Sequence, residues 1–246
     1  MTRTLFLLSA VLLWAVPAAA QQPAAKGKPA KPVAKSAAMT ADTTHPKTDS
    51  SKSSDPDRAV TGGGVFPAGW SVRTDRNAAT TNVKFGPMGD GLHVTLGPAA
   101  IFYRASDKVN GPFHALATFT QTKAPMHPEG YGLFMGGKAL DGEGQQYLYF
   151  LVRGDGTYLV KRRDGANTTT LQTWTASPAV HKADSAGQAT NLLEIDRKSD
   201  PSKVVFKVNG QPVWTTDAKT VDPTGIVGLR VNHNLDVHVK GFAIHQ

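Results

Sequence analysis

QQYLYFLVRGDGTYLVKRRDG, residues 145–165, decides the fold class. Two runs of aliphatic, β-branched and aromatic residues flank Asp155-Gly156, a dipeptide that accepts positive φ angles and so favours a tight hairpin. Read as a two-residue turn, it sets Arg153 opposite Tyr158, Leu151 opposite Val160 and Tyr149 opposite Arg162. On this reading one face pairs Val152 with Leu159, carries Leu148 and Phe150, and is core. The other gathers Tyr147, Tyr149, Arg153, Tyr158 and Arg162, an unusual set for ordinary exposed strand.

The same period of two continues on both sides. It runs from GLHVTL (91–96) and FHALATFTQ (113–121) to IVGLRVN (226–232) and DVHVKGFAI (236–244). A second hairpin is expected at Asn209-Gly210, between KVVFKV (203–208) and PVWTT (212–216). Some dozen such runs, closely spaced and bounded by Gly, Pro, Asn or Asp, predict an all-β fold. No window of a dozen residues keeps a helical stripe. The 24 Gly and 16 Pro fit many turns, and they argue against a helical bundle. The expectation is a single antiparallel β-sandwich over residues 61–246.

Residues 1–20 read as a secretory signal peptide, with Arg3, an apolar run from Leu5 to Val16 and Ala18-Ala19-Ala20 before Gln21. That run is shorter than the roughly 20 residues needed to span a bilayer. No later stretch is long or apolar enough to cross, so an exported protein, periplasmic or extracellular, is expected. Residues 21–60 form an Ala/Lys/Pro/Ser-rich linker, too poor in large apolar side chains to fold. Its Lys26, Lys28, Lys31 and Lys35 could touch an anionic cell envelope, although a solvated spacer is the simpler reading.

The chain has 27 basic and 19 acidic residues for a net charge of +8. The signal and the linker through Arg58 hold eight of the basic and four of the acidic ones. The remaining +4 is spread over the sandwich, which excludes the concentrated basic footprint of a nucleic-acid binder. With no cysteine, disulfides, thiolate metal sites and a cysteine nucleophile are excluded.

GPAAIFYR (97–104), HPEGYGLFMGG (127–137), the 145–165 hairpin, NLLEIDR (191–197) with VVFKVNGQPVW (204–214), and GIVGLRVNHNLDVHVKGFAI (225–244) carry a family resemblance. Together they resemble exported bacterial proteins of the concanavalin A-like lectin/glucanase superfamily. The nearest branches are laminin G-like domains and the 3-keto-disaccharide hydrolase domain. The resemblance implies a jelly roll of twelve to fourteen strands, with a concave sheet that often receives carbohydrate.

Sugars offer apolar C–H faces to aromatic rings and hydroxyl rims to Arg, Asn and Asp. The expected binding face is therefore Tyr147, Tyr149, Arg153, Tyr158 and Arg162, bordered by Asn232, His233 and Asn234. The alternative is a hydrolase acting on disaccharides or modified glycosides, drawing its acid or base from the loop residues Glu129, Asp141 or Glu143. A second alternative is an envelope protein-interaction module. Glu194-Ile195-Asp196 lacks the further glutamate of the glucanase pattern, and strand alternation turns both acids outward into solvent. Asp141-Gly142-Glu143 could offer oxygens to Ca²⁺, but no EF-hand spacing supports it, and neither a metal nor another cofactor is expected.

Overall fold

The alternation resolves into fourteen antiparallel strands among the described residues, which in this computed structural model are 56–246. The expected signal peptide and the linker through residue 55 lie outside the described residues. The strands are β1 (Ser71–Thr74), β2 (Val83–Met88), β3 (Gly91–Leu96), β4 (Ala100–Val109), β5 (His114–Gln121), β6 (Gly130–Lys138) and β7 (Gln146–Arg153). They continue as β8 (Thr157–Asp164), β9 (Asn167–Ala176), β10 (Ala189–Asp196), β11 (Lys203–Val208), β12 (Gln211–Asp217), β13 (Gly225–Val231) and β14 (Asp236–His245). A single helical turn, α1 (Ala218–Val221), joins β12 to β13.

Two seven-stranded sheets face each other as a jelly-roll sandwich, in the orders β1-β4-β13-β6-β7-β8-β9 and β12-β11-β10-β5-β14-β3-β2. The strands that carry proline, β2 with Pro87 and β12 with Pro212, are both sheet edges, where the missing N–H costs no ladder bond. Strands β1 and β2 lie outside the runs read from the sequence. SVRT is too short to show alternation, and Gly86-Pro87 interrupts β2.

Phe102, Leu133, Phe150 and Leu229 of the first sheet meet Phe119, Leu193, Phe206 and Val237 of the second. Across the gap, Phe150 and Phe206 stack edge to face with centroids 5.3 Å apart. In β5 and β11 every second residue is buried, the pattern of strands with one wet face. By contrast, β6 and β7 are buried on both faces, because Ile101, Phe134, Tyr147, Tyr149, Leu151 and Leu159 form a second apolar cluster on the outer side of the first sheet.

The two hairpins close differently. Asn209 and Gly210 take φ of 50° and 77° and pair Val208 with Gln211, the two-residue turn expected there. At residues 154–156 the loop has three residues. The Gly156 N–H donates to Arg153 O at 3.1 Å, Gly156 takes φ of 86°, and Arg153 pairs with Thr157. Asp155 Oδ1 fixes this loop by accepting from Thr157 N at 3.1 Å and Thr157 Oγ1 at 2.6 Å.

One extra loop residue slides β8 by one position, and each of its side chains changes face. The expected pairing is thereby corrected: Leu151 lies opposite Leu159, Tyr149 opposite Lys161 and Tyr147 opposite Arg163. Tyr158 enters the main core and Arg162 lies opposite Leu148, so neither shares the face of Tyr147 and Tyr149.

The outer face of the second sheet is tied down by carboxylates. Glu194 and Asp196 do leave the core to Leu193 and Ile195, but they are buried rather than solvated. Glu194 accepts from His114 at 2.9 Å, and Asp196 accepts from Lys207 and Ser199 Oγ, both at 2.7 Å. Asp236 accepts from His93 at 2.8 Å, Thr122 Oγ1 at 2.9 Å and Lys123 at 2.9 Å. Burial alone would raise the Asp236 pKa, but hydrogen bonds from His93, Lys123 and Thr122 hold it well below the ordinary 3.8.

Phe206→Ala is expected to lower unfolding free energy by about 3–5 kcal/mol in urea titration, through lost burial and the cavity left against Phe150. The folded pKa of Asp236 lies below its unfolded one, so its stabilisation is complete above about pH 5 and is lost as pH falls through 3.8 and below. Asp236→Asn should therefore lower the melting temperature at pH 7 and narrow its gap to wild type as the pH approaches 2.

Candidate functional site

The outer face of the first sheet is built around Arg230, near the end of β13 and only 4% exposed. Asp75, just beyond β1, receives both terminal nitrogens of its guanidinium, Nη1 at Oδ1 and Nη2 at Oδ2, the latter at 2.7 Å. Asp75 is held in place by its own N–H, which donates to Ala99 O at 3.0 Å, and its carbonyl accepts from Arg163 Nη2 at 2.9 Å. Arg230 also donates to Tyr147 OH at 3.1 Å and, from Nε and Nη2, to Asn232 Oδ1 at 3.3 and 3.2 Å. Its guanidinium carbon lies 5.2 Å from the centre of the Tyr149 ring.

Burial opposes the charge on Arg230, but the Asp75 carboxylate more than offsets it and the guanidinium stays protonated. Burial likewise works to raise Asp75, and Arg230 holds it below the usual carboxylate range. Burial pushes the Tyr149 phenol up to about 12 and also raises Tyr147, so both remain hydroxyls. At 3% and 7% exposure, these two tyrosines lie against each other, with centroids 5.8 Å apart, as a floor under the face. They share the face expected for them, but their rings are not free to stack on a sugar.

The accessible ring on this face is Trp174 of β9, packed on the outer cluster yet not buried. The Arg153 guanidinium lies 4.2 Å from its ring centre, and Arg153 Nε donates to Thr157 Oγ1 at 3.0 Å. Gly130, at the start of β6, makes room for the indole, since a Cβ there would lie 2.9 Å from Trp174 Cη2. The preceding residue, Glu129, accepts from Asn232 Nδ2 at 3.1 Å through Oε2 and contacts His233 Nε2 at 2.7 Å through Oε1. Asn232 N donates to Gly130 O at 2.8 Å, which fixes this rim to the sheet. Thus Trp174, Arg153, Glu129, Asn232 and His233 gather at the Arg153 end of β7.

The other expected site residues lie elsewhere. Tyr158 spends its hydroxyl on Val213 O at 2.8 Å, and Arg162 donates to Thr220 O at 2.6 Å. Asn234 adopts φ of 57°, accepts from Arg58 N at 2.8 Å and donates to Pro56 O at 3.0 Å, tying down the entering chain. Asp141 and Glu143 are exposed in the β6–β7 loop, away from Glu129 at the far end of β6. Among the described residues, no group of three or more His, Asp or Glu side chains is arranged to hold a metal ion.

Trp174, Arg230, Asp75 and Arg163 were not singled out from the sequence. A signal for one of them is present, because an arginine inside the apolar run IVGLRVN demands a buried partner. Asp75 has no such signal, lying 155 residues away.

Asp75→Ala should destabilise the protein by about 3 kcal/mol or more, because it leaves the Arg230 charge buried and unpaired. Asp75→Ala combined with Arg230→Met is expected to cost less than the single change in the same urea titration, the signature of coupled partners.

No family model and no curated protein matches this chain. Solved structures do share its fold. A carbohydrate-binding module, CBM66 from Bacillus subtilis, superposes with a TM-score of 0.51 at 8% identity, over 77% of this chain and 100% of the module. A Bacillus licheniformis β-glucanase superposes at 0.48 with 10% identity, over 72% of this chain and 92% of the enzyme. A Streptomyces sioyaensis endo-1,3-β-glucanase gives 0.43 at 17%, over 77% and 84%. At such identities the likeness is one of fold alone, a jelly-roll β-sandwich.

Proposed function

We propose that the protein is an exported, lectin-like sandwich that binds carbohydrate on the outer face of its first sheet, at Trp174, Arg153, Glu129, Asn232 and His233. The observation that carries this reading is the half-buried indole of Trp174, packed on the outer apolar cluster, with a guanidinium 4.2 Å from its centre and a carboxylate–amide–imidazole rim beside it. An indole face stacks on the C–H face of a pyranose or furanose, and the rim groups hydrogen-bond its hydroxyls. The shared fold with a carbohydrate-binding module supports the reading by analogy only.

Binding is favoured over hydrolysis because both oxygens of Glu129 are already engaged, one by Asn232 and one by His233. A glycosidase needs a second carboxylate free across the scissile bond, and here Asp75 is locked to Arg230, Asp155 is paired with Arg153 and Asp57 with His233. The hydrolase alternative keeps one specific support: of the three loop acids expected from the sequence, Glu129 is the one on this rim. An interaction module would show a broad apolar patch. Among the described residues the exposed large hydrophobics are Val65, Met88 and Met126, which come from three separate segments.

Glycan-array screening followed by titration calorimetry tests the assignment. Trp174→Ala should weaken binding of the best glycan by about tenfold or more, the worth of one stacking contact, while Arg162→Ala and Tyr158→Phe leave a neutral glycan unaffected. Unchanged affinity in Trp174→Ala would remove the site. Release of reducing sugar by the wild type and its loss in Glu129→Gln would establish the hydrolase instead.

A further inference from the structure

At the opposite end of β7 from Trp174, a cleft of about 290 Å³ opens between the ends of β6, β7 and β8 and the α1 turn. That volume is at the small end of the range for ligand pockets. Its charged walls are Lys138, Arg162, Arg163, Lys219, Asp164 and Asp222, a surplus of two positive charges.

The acids are already engaged. Asp222 takes Lys138 through Oδ2 and accepts from Thr224 at 2.7 Å through Oδ1, while Asp164 accepts from Gln146 at 3.0 Å. Arg163 leans toward Asp75, with Nη1 3.7 Å from its carboxylate. Two cations are left without a carboxylate among the described residues. Arg162 makes a single hydrogen bond, to Thr220 O, and Lys219 makes none. Arg162 is here because of the three-residue loop at 154–156, which turned it away from the Tyr149 face and toward α1.

We propose that this cleft is an anion subsite that takes the carboxylate or sulfate of an acidic oligosaccharide, with Arg162 and Lys219 as its ligands. The proposal rests on the carbohydrate reading above and narrows it to a substrate class. A guanidinium beside an ammonium suits these anions, the fork by bidentate hydrogen bonding and the lysine as a point charge. The seven residue steps of β7 separate the cleft from the Trp174 end by about 23 Å, and Arg162 is turned to the other face of the sheet, so the cleft is a second subsite and not an extension of the Trp174 face.

The test is calorimetry on the folded protein with four probes: an oligogalacturonate, a sulfated oligosaccharide, a neutral glucan of equal length and inorganic phosphate. The Arg162→Ala/Lys219→Ala double variant should lose about tenfold or more toward one or both acidic oligosaccharides, and keep its affinity for the neutral glucan. Wild-type affinity for the acidic probe should fall as salt is raised. Which acidic probe responds distinguishes carboxylate from sulfate, and Arg162→Lys, which retains the charge but not the bidentate fork, should restore binding only in part relative to Arg162→Ala.

Acidic probes that bind the double variant as they bind the wild type, or do not bind the wild type at all, overturn the proposal. Phosphate binding as tightly as the acidic oligosaccharides also overturns it, in favour of a free-anion site. If Trp174→Ala weakens every glycan and the double variant weakens none, the subsite fails while the carbohydrate face stands. If the double variant loses only acidic probes and Trp174→Ala loses nothing, the subsite stands and the Trp174 face fails.

Discussion

A guanidinium cannot sit on an interior strand of a sheet, nearly sealed from water, unless its charge and its donors are met. Arg230 imposes that requirement on the outer face of the first sheet, and the surrounding architecture answers it. Asp75 is brought in from the segment after β1 to receive two of its nitrogens, the Tyr147 hydroxyl receives a third contact, and Asn232 accepts from the remaining edge. Each partner is thereby fixed for the next. Asn232, oriented by Arg230, presents its amide N–H to Glu129, and Glu129 in turn holds His233. The rim of the candidate site is the outer end of one hydrogen-bonded chain that begins at a buried charge.

The same constraint explains why the aromatic residues divide between two roles. Tyr147 and Tyr149 are pressed into the floor beside Arg230, where burial keeps their phenols protonated and their rings face each other and the guanidinium. Trp174, on the edge strand β9, has no neighbouring strand beyond it and stays accessible. A sheet covered on both faces at its centre leaves its strand ends as the open positions, and both candidate sites lie there. There β7 presents Arg153 near Trp174 at one end, and at the other Gln146 and Tyr147 line the cationic cleft.

The two hairpins show where sequence reading succeeds and where it stops. Asn209-Gly210 and Asp155-Gly156 offer the same backbone permission, and both make tight turns. At the first, the Asn209 side chain also donates to Ala179 O at 2.8 Å and accepts from Leu192 N at 2.8 Å, consistent with a two-residue turn. At the second, Asp155 captures Thr157 and Gly156 becomes the third loop residue. Nothing in the dipeptide distinguishes these outcomes, yet one residue of register decides that Lys161, not Arg162, lies opposite Tyr149.

Alternation, turn residues and the absence of any helical stripe were enough to determine an all-β sandwich, because burial of one strand face is a local property with a period of two. The shared face of Tyr147, Tyr149 and Arg153 was legible for the same reason. What the tertiary structure decided was which of those groups are available. The tyrosines become floor, Asn234 becomes a tether for residues 56–58, and Trp174 stays half-buried at the sheet edge. Those outcomes depend on partners up to 178 residues apart, brought together when the chain lays sequence-distant strands side by side. No local pattern encodes such pairings, since the energy of a buried charge or ring is set by what surrounds it in space.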